Sequence, residues 1–448
     1  MSLPLLLGAC QSGAPAQGGL PGLLEKIAPG APQRVAPQPG TPPGGQANIP
    51  PAGQPAPQMP RPAAPSLAIE TQPLPGPMLV RPGEGNMIRI AFLAPLSGPH
   101  AGLGRALLDA AQLALFDLAD DRLALLPRDT EGQPEKAAAA AQQAMAEGAQ
   151  IIIGPLFSNE AAAVGTAARE RGVKVLSFST DRTVAGDGVY LLGFTPDQQV
   201  ERVIAYARGK GMTRYALLAP DSPYGHAVTQ AAELATRQAG GQLLRQDRYA
   251  GDTTDLTPVV RRFAGSLRAL PPRSPEEPPV EGIDPSLPRP VDALLLPEGG
   301  AKLRALAPLL PYFDIDPRAV RFLGTGLWED ASLGSEPALQ GGWYAAPAPE
   351  GFAEFSRRFE QSYGRRPVRL ASLAYDTTAL VGILAKRTDV MPFSDAALTN
   401  PDGFAGYDGI FRFQPNGLVQ RGLAVLEVQR RGSRVIDPAP ASFQLPGN

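Results

Sequence analysis

Apolar and polar positions between residues 87 and 437 fall into blocks that switch between two periods. Met87-Ile88-Arg89-Ile90-Ala91-Phe92-Leu93 predicts a strand that ends at Pro95 and Ser97-Gly98. Over Gly104–Ala119, Leu107, Leu108, Ala111, Leu115 and Leu118 recur on one helical face. A short strand is predicted over Leu123–Leu126 and an alanine-rich helix over Pro134–Gly148. The run Ile151-Ile152-Ile153 reads as a strand covered on both faces, broken by Gly154-Pro155. Ser158 and Asn159 stand where helix-capping oxygens are wanted, before a helix Glu160–Arg171 that closes at Gly172. Val173, Val175 and Leu176 begin the next strand, which ends in Ser177, Ser179 and Thr180.

The alternation continues. Helices are predicted over Asp197–Gly209, Ala227–Ala239, Leu256–Arg268, Lys302–Leu310, Phe352–Tyr363 and Leu370–Arg387. Strands are predicted over Tyr215–Leu218, Val291–Leu296 and Val320–Leu323. Ile410–Phe413 and Leu423–Val428, joined through Pro415-Asn416-Gly417, read as a hairpin. Such alternation predicts parallel α/β sheets, and more than 350 ordered residues suit two lobes better than one sheet. Ser158, Ser179 and Thr180 follow two consecutive strands, so they are expected at the sheet edge where open α/β folds bind ligands.

Composition adds limits. The 448 residues carry 41 basic and 43 acidic side chains, so no basic footprint points to nucleic acid. Two histidines (His100, His226) and one cysteine (Cys10) leave little for a metal site, and no cofactor is expected. No G-x-S-x-G elbow, P-loop or H-E-x-x-H is present, which argues against an enzyme. His226 reads as a solvated residue at a helix start, and Asp117, Asp120 and Asp121 as polar surface. Asp376, inside an apolar helix, reads either as a cleft-facing acid or as the acceptor of a structural hydrogen bond between lobes, the second being favoured. Residues 11–85 hold 19 of the 51 prolines and 12 glycines, which predicts a disordered linker. Residues 271–290 hold eight prolines and read as an exposed loop insertion.

Leu7-Gly8-Ala9-Cys10 resembles the lipobox of bacterial lipoproteins. The resemblance implies a signal remnant over 1–10, lipidation of Cys10 and a folded head held off a membrane, the outer one because Gln11 is not aspartate.

The segments IRIAFLAPLSGPHAGLG, IIIGPLFSNEA, GVKVLSFSTD, APDSPYG, VDALLLPEGG and YDGIFRFQPNG, in this order, resemble the type I periplasmic binding protein family, as in leucine/isoleucine/valine receptors. The resemblance implies two Rossmann-like lobes with parallel sheets joined by a three-strand hinge, and a small polar ligand between them. Lobe 1 is then expected over 87–194 plus about 347–400, and lobe 2 over 195–346 plus about 401–437. By motif position a ligand carboxylate meets Ser158, Ser179 and Thr180 with Ser97 nearby, and Tyr224 of Asp221-Ser222-Pro223-Tyr224-Gly225 covers it. Receptors supply an acid after the strand that here is Phe322-Leu323-Gly324. This chain has Thr325-Gly326-Leu327-Trp328 there, with Glu329 and Asp330 following. Glu298, in place of an expected aromatic, is the candidate to supply that charge.

The chain also resembles the C-terminal domain of lipoprotein activators of penicillin-binding proteins, through AFLAPLSG, GPLF, Arg369-Leu370 before Ala374-Tyr375-Asp376, and Arg430-Arg431-Gly432. That branch implies a non-catalytic regulator of peptidoglycan synthesis in the periplasm, with a penicillin-binding protein as partner. The receptor branch implies an ABC permease instead and is the alternative.

Overall fold

The computed structural model describes residues 87–274, 277 and 279–444; the Cys10 motif and the 11–85 segment lie outside them. The chain opens with β1 (Ile88–Ala94), α1 (Ala101–Leu118), β2 (Leu123–Asp129), α2 (Pro134–Ala146), β3 (Ala149–Ile153), α3 (Ser158–Arg169), β4 (Lys174–Ser177) and β5 (Val189–Leu191). These strands form one parallel sheet in the order β2-β1-β3-β4-β5. Ile90, Ile151, Ile152 and Ile153 are fully buried because helices cover both faces of the sheet.

The chain then enters a second lobe with α4 (Pro196–Gly209), β6 (Arg214–Asp221), α5 (Pro223–Gln238), β7 (Gln242–Ala250), α6 (Thr257–Arg268), β8 (Ala293–Leu295), α7 (Gly300–Leu306), α8 (Leu309–Tyr312), β9 (Arg321–Gly324) and β10 (Trp343–Ala346). It returns with α9 (Pro349–Tyr363), α10 (Ala371–Ala385), α11 (Asp395–Leu398), β11 (Phe404–Gly406), β12 (Gly409–Phe413) and β13 (Val419–Arg421). It crosses once more to β14 (Ala424–Val428) and β15 (Ser433–Asp437). The second sheet runs β15-β14-β10-β9-β8-β6-β7, and β14 pairs antiparallel with both β10 and β15. The two-lobe α/β architecture expected from the alternation is therefore present, with crossings at residues 192–195, 347–348 and 422–423.

The C-terminal hairpin differs from expectation. Its partner strand is Val419–Arg421, with Phe413 opposite Val419, whereas Ala424–Val428 pairs with β10 in the other sheet. The tight turn explains this. Gly417 adopts φ +80°, and the bonds Gly417 N–H to Gln414 O and Gln414 N–H to Leu418 O fold the chain back immediately. Residues 404–421, expected with lobe 2, bury Phe411, Phe413 and Val419 in the lobe 1 core instead. The single helix expected over Lys302–Leu310 is split into α7 and α8 at Pro308, the residue before α8.

Two glycines set how closely helix meets strand. A Cβ on Gly104 would lie 2.1 Å from the Pro95 carbonyl oxygen, and one on Gly225 would lie 1.9 Å from that of Pro220. In each lobe a helix start is thus pressed onto the end of a strand, which brings its first turn to the sheet edge.

Candidate functional site

A cleft of about 1670 Å³ opens at the C-terminal strand ends. One wall is built by the first lobe. Ser158 is the first residue of α3, and Phe157 takes the capping position ahead of it. Asn159 Oδ1 accepts the first-turn Glu160 N–H at 2.9 Å, as expected of a capping oxygen, and the Glu160 carboxylate accepts the Phe157 N–H at 3.2 Å. Glu160 is fully buried, and desolvation pushes its carboxyl up to about 7.

Ser179 follows β4. Its N–H donates to Ser177 Oγ at 3.1 Å, and Ser177 Oγ donates to the Pro155 carbonyl at 2.9 Å. Ser179 Oγ in turn accepts the Asp181 N–H at 3.1 Å. This chain of hydroxyls sets the turn that carries Thr180, and Ser158, Ser179 and Thr180 all line the cleft. The hydroxyl row inferred from two strand ends is therefore assembled in one place.

The opposite wall comes from the second lobe. Ser222 Oγ accepts the Gly225 N–H at 3.1 Å and caps α5, which points Tyr224 at the cleft. The Tyr224 hydroxyl donates to Thr325 Oγ1 at 2.7 Å, and burial raises its pKa above the usual phenol range. Glu298 follows β8 and also lines the cleft. Its carboxylate accepts the Tyr249 hydroxyl at 2.6 Å and the Gly299 N–H at 3.2 Å. Lys302 Nζ donates to the Gly251 carbonyl and lies 5.7 Å from the Tyr249 ring centroid.

Ser97 does not join this group. It is not among the residues lining the cleft, and its N–H donates to Asp129 Oδ1 at 3.2 Å beside the Leu96 N–H at 2.8 Å. Desolvation works against Asp129 ionisation, but the Ser97, Glu131 and Leu96 hydrogen bonds outweigh it and hold the carboxyl below its ordinary value. The local pull of the β2 end on the loop after β1 decides this, and no single-residue signal shows it.

Of the two acids after β9, Glu329 is turned away. Both its oxygens lie 3.0 Å from Arg369 Nε. Asp330 lines the cleft, where its carboxylate accepts the Ser332 N–H at 2.8 Å and lies 3.5 Å from Arg304. His226 pairs with Asp221 at 2.6 Å, both exposed. Sequence reasoning missed a cross-lobe contact on the cleft wall: Arg182 Nη1 lies 3.1 Å from Asp197 Oδ2, and both residues line the cleft. Its signal was local, since Arg182 stands two positions after Thr180. Among the described residues no His, Cys, Asp and Glu cluster could hold a metal ion, and no helix is long and apolar enough to cross a membrane.

The sequence profile described as periplasmic binding protein matches residues 87–433. The chain is 28% identical over 165 residues to the Leu/Ile/Val-binding protein BraC3 of Rhizobium johnstonii, an alignment spanning 34% of this chain and 45% of that protein. It spans 62% of an uncharacterized Rickettsia prowazekii protein at 22% identity over 245 residues, 55% of this chain, so in both cases less than two thirds of the curated relative is matched. Among solved structures, a putative branched-chain amino acid ABC transporter protein from Rhodospirillum rubrum superposes with TM-score 0.64 at 20% identity, over 78% of this chain and 100% of that one. A solute binding protein of an ABC transporter from Rhodopseudomonas palustris, in complex with 3,4-dihydroxy benzoic acid, superposes with TM-score 0.56 at 16% identity, over 80% and 99% of the two chains.

Proposed function

The chain belongs to the periplasmic binding protein family, and on that premise we propose that it is the solute-binding receptor of an ABC transporter for a small carboxylate-bearing solute such as an amino acid. The observation that carries this reading is the cleft itself. Ser158, Ser179 and Thr180 stand on one wall and Tyr224 and Glu298 on the other. Hydroxyls beside the start of α3 are suited to a carboxylate, because helix N–H groups and the helix dipole favour negative charge there. A carboxylate is also what the ligands named for the relatives share: leucine, isoleucine and valine in one, a dihydroxybenzoic acid in another.

The role is binding rather than catalysis, in the periplasm. A solute held by both lobes would favour the closed arrangement through its differential affinity, and the permease would read that arrangement. Lobe 1 would comprise 87–192 with 349–421, and lobe 2 would comprise 196–346 with 424–437. The lipobox-like Cys10 supports a lipid anchor, and the proline-rich 11–85 segment a tether; loss of palmitate labelling in Cys10→Ser tests the anchor. The reading of the chain as an activator of penicillin-binding proteins gains no support. The comparisons point to transporter proteins, and Arg369, one of its markers, is engaged inside the hinge.

A thermal-shift screen of the full chain against amino acids and aromatic carboxylates tests the receptor reading. A ligand present at a hundred times its Kd adds about 2.7 kcal/mol of stability. Ser158→Ala and Tyr224→Phe should each weaken that shift. A flat response across the panel overturns the proposal.

A further inference from the structure

Immediately after the hydroxyl row, the chain turns through Asp181-Arg182-Thr183. The Asp181 carboxylate accepts the Thr183 N–H at 3.0 Å and the Thr183 hydroxyl at 2.7 Å, which fixes the turn. The same turn is held from behind by the Asp181 N–H donated to Ser179 Oγ. Arg182 therefore leaves a rigid loop two residues beyond Thr180, and its side chain remains 49% exposed. It lines the cleft together with Ser158, Ser179 and Thr180.

A guanidinium carries five N–H donors in a planar fork. One nitrogen of Arg182 faces Asp197 in the first turn of α4, on the second lobe. The remaining donors belong to a half-exposed group on a cleft wall that already carries three hydroxyls. A wall of hydroxyls alone offers a carboxylate neutral hydrogen bonds. Adding a guanidinium makes them charge-assisted, which is stronger and geometrically more selective. Asp197 also holds the group: its Oδ2 lies 3.1 Å from Arg182 Nη1, while its Oδ1 is buried without a hydrogen-bond partner among the described residues.

We propose that Arg182 is the specificity-determining residue of the cleft, the cation that selects a carboxylate in the solute and links it, through Asp197, to the second lobe. The proposal rests on the receptor reading above and deepens it. A solute carboxylate held by Arg182 and the hydroxyls of lobe 1 touches a side chain already tied to lobe 2. Binding would then bear on both lobes at once, and differential affinity for two arrangements requires such contact.

The test is calorimetric titration of the full chain with L-leucine and benzoate, and with their amides, leucinamide and benzamide. The wild type and the Arg182→Gln and Arg182→Lys variants are compared. Arg182 is half exposed and glutamine can still donate to Asp197, so both variants should fold; circular dichroism checks this. In the wild type the carboxylate should bind roughly tenfold or more tighter than its amide. That preference should collapse in Arg182→Gln and return in part in Arg182→Lys. A folded Arg182→Gln variant that keeps the full preference overturns the role of Arg182 and leaves the receptor reading standing. If neither carboxylate binds the wild type, the same comparison is made with the carboxylate that gives the largest thermal shift in the wider panel, and a flat response across that panel overturns both readings.

Discussion

Arg369 and Glu329 join the two lobes by a partly buried ion pair, 8% and 21% exposed, in which the Arg369 Nε lies 3.0 Å from each Glu329 oxygen. Glu329 follows β9 in the second lobe, and Arg369 precedes α10 in the first. The guanidinium also contacts Asp408 at 2.8 Å and lies between Phe194 and Phe352, 4.7 and 4.5 Å from their ring centroids. Arg421 lies over the same Phe194 ring at 5.0 Å and donates to the Leu192 carbonyl at 2.6 Å. Phe194 lies in the first crossing, Phe352 follows the second and Arg421 precedes the third, so the three hinge segments meet on these two arginines.

Glu329→Gln should therefore destabilise the chain by about 3 kcal/mol, because it leaves Arg369 buried with one carboxylate fewer. Denaturant titration measures this. Arg369→Met should cost more than Glu329→Gln, since it also leaves the buried Asp408 carboxylate without the guanidinium 2.8 Å away, and the double variant should lose less than the sum of the two single losses. Additive losses would show that the two residues are not coupled.

Stability should fall as pH rises from 4.5 to about 7, through Glu160. Its folded-state carboxyl is raised to about 7 by burial from an ordinary value of 4.5. Between these values the unfolded chain has released the proton and the folded chain still holds it, so each step up in pH favours unfolding. The full effect is roughly 3 kcal/mol, present below 4.5 and lost above 7. Asp376 should act in the same direction, because burial and then the nearby Asp408 raise it. Thermal unfolding across this range should show the slope, and Glu160→Gln should remove the share of it owed to Glu160, leaving that of Asp376.

Gly225→Ala should cost about 2 kcal/mol through overpacking, since its Cβ would fall 1.9 Å from a backbone oxygen that cannot swing away. The cost should be accompanied by weaker solute binding, because the same helix start carries Tyr224. Gly102→Ala is the control: nothing lies within 4 Å of its Cβ, and its melting temperature should hold.

Ser179→Ala should weaken solute binding by more than the loss of one hydroxyl contact. Ser179 Oγ also accepts the Asp181 N–H that sets the turn before Arg182. Titration with L-leucine in Ser179→Ala and Thr180→Val separates the two effects. Equal losses would assign Ser179 no role in placing the turn.

Local pattern determined a large part of this protein. The isoleucine run of β3, the leucine stripe of α1 and the glycines that end helices were legible because burial on a sheet or helix face imposes a short period on the chain. The hydroxyls at Ser158, Ser179 and Thr180 and the tyrosine of Asp221-Ser222-Pro223-Tyr224-Gly225 were legible for a related reason: the turns that place them are built from neighbouring residues. β7 was not read, since Gln242–Ala250 mixes charged and apolar side chains on a half-exposed edge of the sheet. β10 is only four residues long, too short for a period to show.

Long-range placement belonged to the tertiary structure alone. Ser97 sits beside Asp129, and Glu329 turns from the cleft to Arg369, 40 positions along the chain. Strand Ala424–Val428 leaves its expected hairpin for the other lobe. Arg182 meets Asp197 across the two lobes. Each outcome depends on which charge or apolar surface finds its partner where the two sheets meet, and no periodicity within either segment records that choice.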